Sequence, residues 1–212
     1  MIDKYLVSNC LFIIDEFNEK YKDIKTKEQL KIIADTEYSE ADMVVRLGFP
    51  FRHMATFNMQ GKSKELGNDI VVKSKDFNIE VKLQKNYKSG NASSNSANWN
   101  ALEKDFQWLS SEIINGKQGN RAFVLGWFNA VDRFSQIVQL GTGKGSKPLI
   151  DRNKMDYFPF LNKTGELTKD ITYMYPSAYT VREVNISGYA NGTMKCMFLG
   201  SQDDKFHIAI YW

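Results

Sequence analysis

Hydrophobic positions along the chain change period several times, and each change marks an element. Leu6, Phe12, Ile13 and Phe17 recur at helical spacing within residues 3–21, and Thr26 with Gln29 has the form of a capping box opening a second helix. Carried on to Leu47, that second helix would align Leu30, Ile33, Ala34, Ala41 and Val44 in one apolar stripe with Glu37 in its middle. Ser39 with Asp42 offers the competing reading. There a fresh helix starts, the stripe breaks, and Glu37 and Glu40 become exposed acids near a helix start.

Beyond this point the period shortens. Arg52 to Met59 reads as a first strand, and the polar, lysine-bearing stretch from Gly61 to Gly67 as a turn. The segment that follows, GNDIVVKSKDFNIEVKLQ, has the pattern of a hairpin that turns through Lys73 to Asn78 between the strands DIVV and FNIEVKLQ. In the second strand Glu80, Lys82 and Gln84 share one face, while Ile79, Val81 and Leu83 share the other. From Lys85 to Asn98 the chain is rich in Ser, Asn and Gly and reads as a mobile loop beside that face. Trp99, Leu102, Phe106, Leu109 and Ile113 then predict an amphipathic helix that ends at Asn115 and Gly116. RAFVLGWFN, from Arg121, has the unbroken apolar character of a buried central strand, and SQIVQL suggests another. From Gly141 onward, turn residues alternate with aromatic-rich pieces around residues 157–160, 173–179 and 206–212. This part is expected to be mostly β, its aromatics packing short strands against the core. The expected class is α/β, with a core and N-terminal helices in residues 1–140 and a β-rich accessory region, residues 141–212, packed on the same domain.

Composition narrows the partners. With 212 residues of which 42% are apolar, the chain can bury one full core. A net charge of +3 leaves no polycationic tail, so any nucleic-acid contact must come from local patches such as Lys62 to Lys88 and Lys144 to Lys154. Two cysteines are too few for a disulfide framework, and the run LFII is cut off by Asp15. Neither a signal peptide nor a membrane span is indicated, and a cytoplasmic protein is expected. GTGKGSK, from Gly141, lacks the spacing of a phosphate-binding loop and reads as a basic surface loop, with Lys144 and Lys147 available to nucleic acid. His53 and His207 stand far apart without zinc-ligand spacing and read as structural, and there is no GxSxG nucleophile elbow.

The hairpin carries the chemistry. Its pairing would set Asp69 beside Glu80, and adjacent carboxylates repel unless one is protonated or a cation lies between them. Hard oxygen ligands suit Mg²⁺, with Mn²⁺ as a substitute. A metal there would polarise a phosphate, while Lys82 could orient or help deprotonate an attacking water. Lys62, Lys64, Lys85, Tyr87 and Lys88 offer charge and an aromatic face to a phosphate backbone.

Asn68, Asp69, Glu80, Val81 and Lys82 together resemble the motif of the PD-(D/E)XK nuclease superfamily, with Asn68 where the family has proline. The resemblance covers about residues 30–140. It implies a restriction endonuclease-like αβββαβ core with a mixed central sheet. It also implies metal ligation by Asp69 and Glu80 with the Val81 carbonyl, and a role for Lys82 at the attacking water. Gln84 extends the pattern to ExKxQ and would face the site. By analogy with the resolvase branch, a helix glutamate preceding Gly48 and Phe49 would join the metal, Glu37 in this position and Glu40 as its competitor. The implied activity is a Mg²⁺-dependent endonuclease of restriction or structure-specific type, dimeric, with DNA preferred over RNA. An RNA or tRNA nuclease or toxin domain using the same site is the alternative among enzymes. A non-catalytic nucleic-acid-binding protein is the alternative outside them.

Overall fold

In a computed structural model the chain is described over residues 2–58, 67–85, 93–130, 134–140, 148–184 and 193–212. Helix α1 (Val7–Lys20) buries Cys10, Ile13, Ile14 and Phe17. Phe12, expected on its apolar stripe, points outward, because Ile13 and Phe17 one turn apart define the buried face. The second helix does not run to Leu47. Helix α2 (Lys27–Thr36) starts on the Thr26 hydroxyl, which accepts the Gln29 amide. It stops at Glu37, and α3 (Glu40–Gly48) begins anew after Tyr38 and Ser39. Ser39 and Asp42 form a reciprocal capping box there, with the Ser39 backbone extended, a conformation that a continuous helix forbids. At its far end α3 lies tight on the first strand, since a side chain at Gly48 would collide with the Phe57 ring.

Strand β1 is shorter than the sequence suggests. Residues 52–54 are spent in a turn after the helical turn Phe49–Phe51, and among the described residues of this segment only Thr56–Phe57 pair as strand. Strands β2 (Ile70–Val72) and β3 (Phe77–Gln84) form the expected hairpin, with Ile70 opposite Ile79 and Val72 opposite Phe77. The tight turn between them ends with Asp76 in the left-handed region. Helix α4 (Ser93–Glu112) begins inside the Ser/Asn-rich stretch that reads as loop, and Gly116, at φ 77°, closes it. It carries the chain over to β4 (Arg121–Phe128), which lies parallel to β3 and is buried along its whole length.

SQIVQL is not a strand. Phe134–Ile137 form a short helix, α5, and only Gln139 makes an isolated bridge, to Ile150. Phe134 and Ile137 are both buried, a helical rather than an alternating spacing. A short helix α6 (Arg152–Met155) and a two-stranded ribbon, β5 (Leu161–Lys163) with β6 (Ile171–Tyr173), follow. Strands β7 (Val181–Val184), β8 (Met194–Leu199) and β9 (Phe206–Tyr211) return to the main sheet. The result is α/β, with a mixed seven-stranded sheet in the order β1-β2-β3-β4-β9-β8-β7. The last third therefore supplies a strand to the centre of the sheet, β9 lying antiparallel to β4 from Phe123 opposite Tyr211 to Phe128 opposite Phe206.

Aromatic packing fixes both layers. On one face Phe17 of α1 sits 4.7 Å from Phe206 and 5.2 Å from Phe128. On the other, Phe106 of α4 lies 5.1 Å from Phe123 and 5.0 Å from Tyr211, both edge-to-face. Phe123, Leu125 and Trp127 are in register with Glu80, Lys82 and Gln84, so the polar positions of β3 open onto the face that α4 covers. No helix among the described residues is long and apolar enough to cross a membrane.

Candidate active site

Strand β3 outlasts its partner. Its pairing with β2 starts at Phe77 and reaches Ile79, where β2 begins at Ile70, and the backbone of β3 beyond that point loses its neighbour on this edge. Outward amides left unpaired there would be costly. Two side chains satisfy them in turn: the Asp69 carboxylate accepts the Val81 amide at 2.8 Å, and the Glu40 carboxylate accepts the Leu83 amide at 3.4 Å. The notch where β2 peels away is thus lined by carboxylates because the strand needs acceptors. Val81 directs its carbonyl to the same edge as its amide, toward Asp69.

Asp69 and Glu80 meet within hydrogen-bond reach, as the hairpin pairing predicts. Glu80 is half-buried, and burial first, then the Asp69 charge, pushes its carboxyl up to about 8. With its carboxyl raised that far, Glu80 gives up its proton near neutrality only if a cation offsets the Asp69 charge. Asn68 lowers the strain on Glu80 by donating to its Oε1 at 2.9 Å.

Lys82 projects from the same face between two further acids, 3.4 Å from Glu40 and 3.7 Å from Asp105. Burial alone would pull its pKa down, but the Glu40 and Asp105 charges outweigh it and hold the ammonium above its ordinary range. Lys82 is placed to donate and to stabilise charge more than to abstract a proton. Asp105 itself is raised to about 6, chiefly by burial, with Lys82 opposing, and its Oδ2 is inaccessible and makes no hydrogen bond.

Glu37 is not at the site. As the residue that ends α2 it is exposed, and the Tyr21 hydroxyl donates to its Oε2 at 3.1 Å, which ties it to the end of α1. The break between α2 and α3 is the reason, and the same break puts Glu40 at the first position of α3, facing β3. Gln84 keeps to the polar face of β3 but is covered: its Oε1 accepts from Asn98 of α4 at 3.1 Å. Lys85 is partly exposed just past β3, near enough for its charge to bear on Asp42. Lys62, Lys64, Tyr87, Lys88, Lys144 and Lys147 lie outside the described residues. His207 is fully buried among Trp127, Tyr173 and Phe198, its Nε2 2.9 Å from the Ser201 carbonyl, and burial lowers it to about 4.

Asp105 was not singled out by the sequence pattern, although a signal was there. Leu102, Asp105 and Leu109 share one helical stripe, so an acid stands where the face turns inward. Among the described residues no three acid, histidine or cysteine side chains close on a common point. The donor set that fits a hard divalent cation is narrower: the Asp69 and Glu80 carboxylates with the Val81 carbonyl, all oxygen. Comparison of the chain with protein-family models, curated protein sequences and solved structures finds no match.

Proposed function

We propose that the chain is a divalent-metal-dependent endonuclease that hydrolyses phosphodiester bonds, with DNA as the preferred substrate. One observation carries this reading. Asp69 and Glu80 meet in a notch of the sheet in hydrogen-bond reach of each other, with a half-buried, ion-paired lysine two residues further along the same strand. Apposed carboxylates bind a hard cation, and an ammonium held beside them favours a substrate that is anionic and gains charge in its transition state. A phosphodiester meets both conditions.

In this reading the cation, Mg²⁺ or Mn²⁺, supplies Lewis acidity at the phosphate. Asp69, Glu80 and the Val81 carbonyl hold it. Lys82, kept in place by Glu40 and Asp105, orients the attacking water and offsets charge building on the phosphate oxygens. The order of elements α3, β1-β2-β3, α4, β4, with β3 parallel to β4, supports a restriction endonuclease-like core of αβββαβ type. A dimer with one active site per strand would complete double-strand cleavage.

The test is to incubate purified wild type and Lys82→Ala with supercoiled plasmid, a four-way junction, single-stranded DNA and tRNA, each with Mg²⁺ and with EDTA. Cutting of DNA by wild type in Mg²⁺ alone is expected. Cutting of tRNA in preference would move the same site to an RNA nuclease. Equal binding by both proteins in EDTA with no cutting of any substrate would contradict the enzyme reading.

A further inference from the structure

Position 68 is where the resembled motif has proline, a residue whose use is to stiffen the entry to the second strand. Here the structure has something else. Asn68 is 94% buried, its Nδ2 donates to Glu80 Oε1 at 2.9 Å, and its Oδ1 accepts from Asn78 Nδ2 at 2.9 Å. The two bonds fix the amide's orientation. The unprotonated oxygen of Glu80 can only be met by the nitrogen end, and the oxygen end is then turned to Asn78, which lies on the same face of β3 as Glu80. Proline offers no such donor.

We propose that Asn68, oriented by Asn78, is a positioning residue that commits one oxygen of Glu80 and leaves the other to a divalent cation shared with Asp69. The proposal rests on the metal-site reading given above and deepens it. A buried amide hydrogen-bonded on both ends has few rotamers open to it, so Glu80 is held before the cation arrives and little ordering remains to be done on binding. Outer hydrogen-bond partners of this kind orient a metal-binding carboxylate, and their loss typically weakens metal affinity by about 10–100-fold. A structural role at the strand entry would require only a residue that accepts the local backbone, which proline or an apolar residue of similar size could fill.

The experiment is calorimetric titration of the full chain with Mn²⁺ alone, without nucleic acid, for wild type, Asn68→Leu, Asn68→Pro and Asn78→Leu, each checked for native near-UV dichroism. Asn68→Leu and Asn68→Pro are expected to weaken Mn²⁺ binding by about tenfold or more. Asn78→Leu, which leaves Asn68 in place but frees its orientation, should weaken it less and in the same direction. In cleavage assays Asn68→Leu should recover much of its rate at high Mn²⁺ with KM for DNA unchanged. Mn²⁺ affinity equal to wild type in Asn68→Pro, or in Asn78→Leu should the Asn68 variants fail to fold, would overturn the positioning role while leaving the metal site standing. No Mn²⁺ binding by wild type would overturn the metal-site reading and this proposal with it.

Discussion

The Val81 amide donates to the Asp69 carboxylate at 2.8 Å although the two residues belong to opposite arms of a hairpin. This bond exists because β2 starts too late to supply a backbone acceptor, so the carboxylate substitutes for one. The same shortage recurs two residues on, where Glu40 takes the Leu83 amide. A defect in strand pairing therefore places two of the acids at one edge.

Proton release should accompany metal binding. Glu80, raised to about 8 by burial and the Asp69 charge, is mostly protonated at pH 7 in the metal-free protein, and a cation needs the carboxylate. Titration with Mg²⁺ in buffers of different ionisation enthalpy should show close to one proton released at pH 7. Affinity should climb as pH rises toward about 8 and level off above it. Affinity independent of pH between 6 and 8 would sink this account of Glu80.

The same shift has a consequence for stability with a definite sign. An acid whose folded pKa is raised binds more protons when folded than when unfolded, from its ordinary value near 4.5 up to about 8. Metal-free protein should lose stability as pH rises through that window, and Glu80→Gln should remove much of the slope. Saturating Mg²⁺ should flatten it as well. Melting curves from pH 5 to 8 with and without Mg²⁺ measure this directly.

Glu37 and Glu40 separate cleanly as variants. Glu40→Gln removes a negative charge 3.4 Å from Lys82 and should lower kcat by about tenfold or more with little change in KM. Glu37→Gln removes an exposed charge beside the Tyr21 hydroxyl at the end of α1 and should leave kcat within about twofold. Comparable losses in both would contradict the placement of α3.

How much of this was legible in the sequence depends on the range of the signal. The hairpin and the apposition of Asp69 with Glu80 follow from alternation within one short segment, and the structure has both. The choice between Glu37 and Glu40 turned on a capping box against an apolar stripe. The cap prevailed because Ser39 and Asp42 each satisfy a backbone amide of the helix start, which the stripe cannot do. Asp105 reaches the site through the docking of α4 on β4, a contact between Phe106 and Phe123 that local spacing within the helix does not encode. SQIVQL looked like a strand because its apolar residues are few, and only the burial of Phe134 alongside Ile137 shows the helical period. The central place of β9 was hidden for a similar reason. Strand pairing between Phe128 and Phe206 leaves no trace in local spacing.

Phe106 is the anchor of that docking. It is fully buried and touches Phe123, Tyr157 and Tyr211 with ring centroids at 5.1, 4.8 and 5.0 Å. Phe106→Ala should cost about 3–5 kcal/mol of stability by denaturant unfolding. Phe106→Leu should cost less and keep the fold. Because Asp105 is the neighbouring residue, the Leu variant should still lower kcat through the position of Lys82. A Phe106→Ala loss below about 1 kcal/mol would mean that α4 does not carry this face of the core.

In the proposed reaction Asp69, Glu80 and Lys82 hydrolyse a phosphodiester with a divalent cation. The most direct measurement is the rate of supercoiled plasmid nicking as a function of Mg²⁺ concentration for wild type, Asp69→Asn and Lys82→Ala, each shown to be folded. Saturable Mg²⁺-dependent nicking by wild type is expected, with none in EDTA and losses of about 10²–10³-fold or more in both variants. Nicking that persists in EDTA, or that survives both substitutions unchanged, would contradict it.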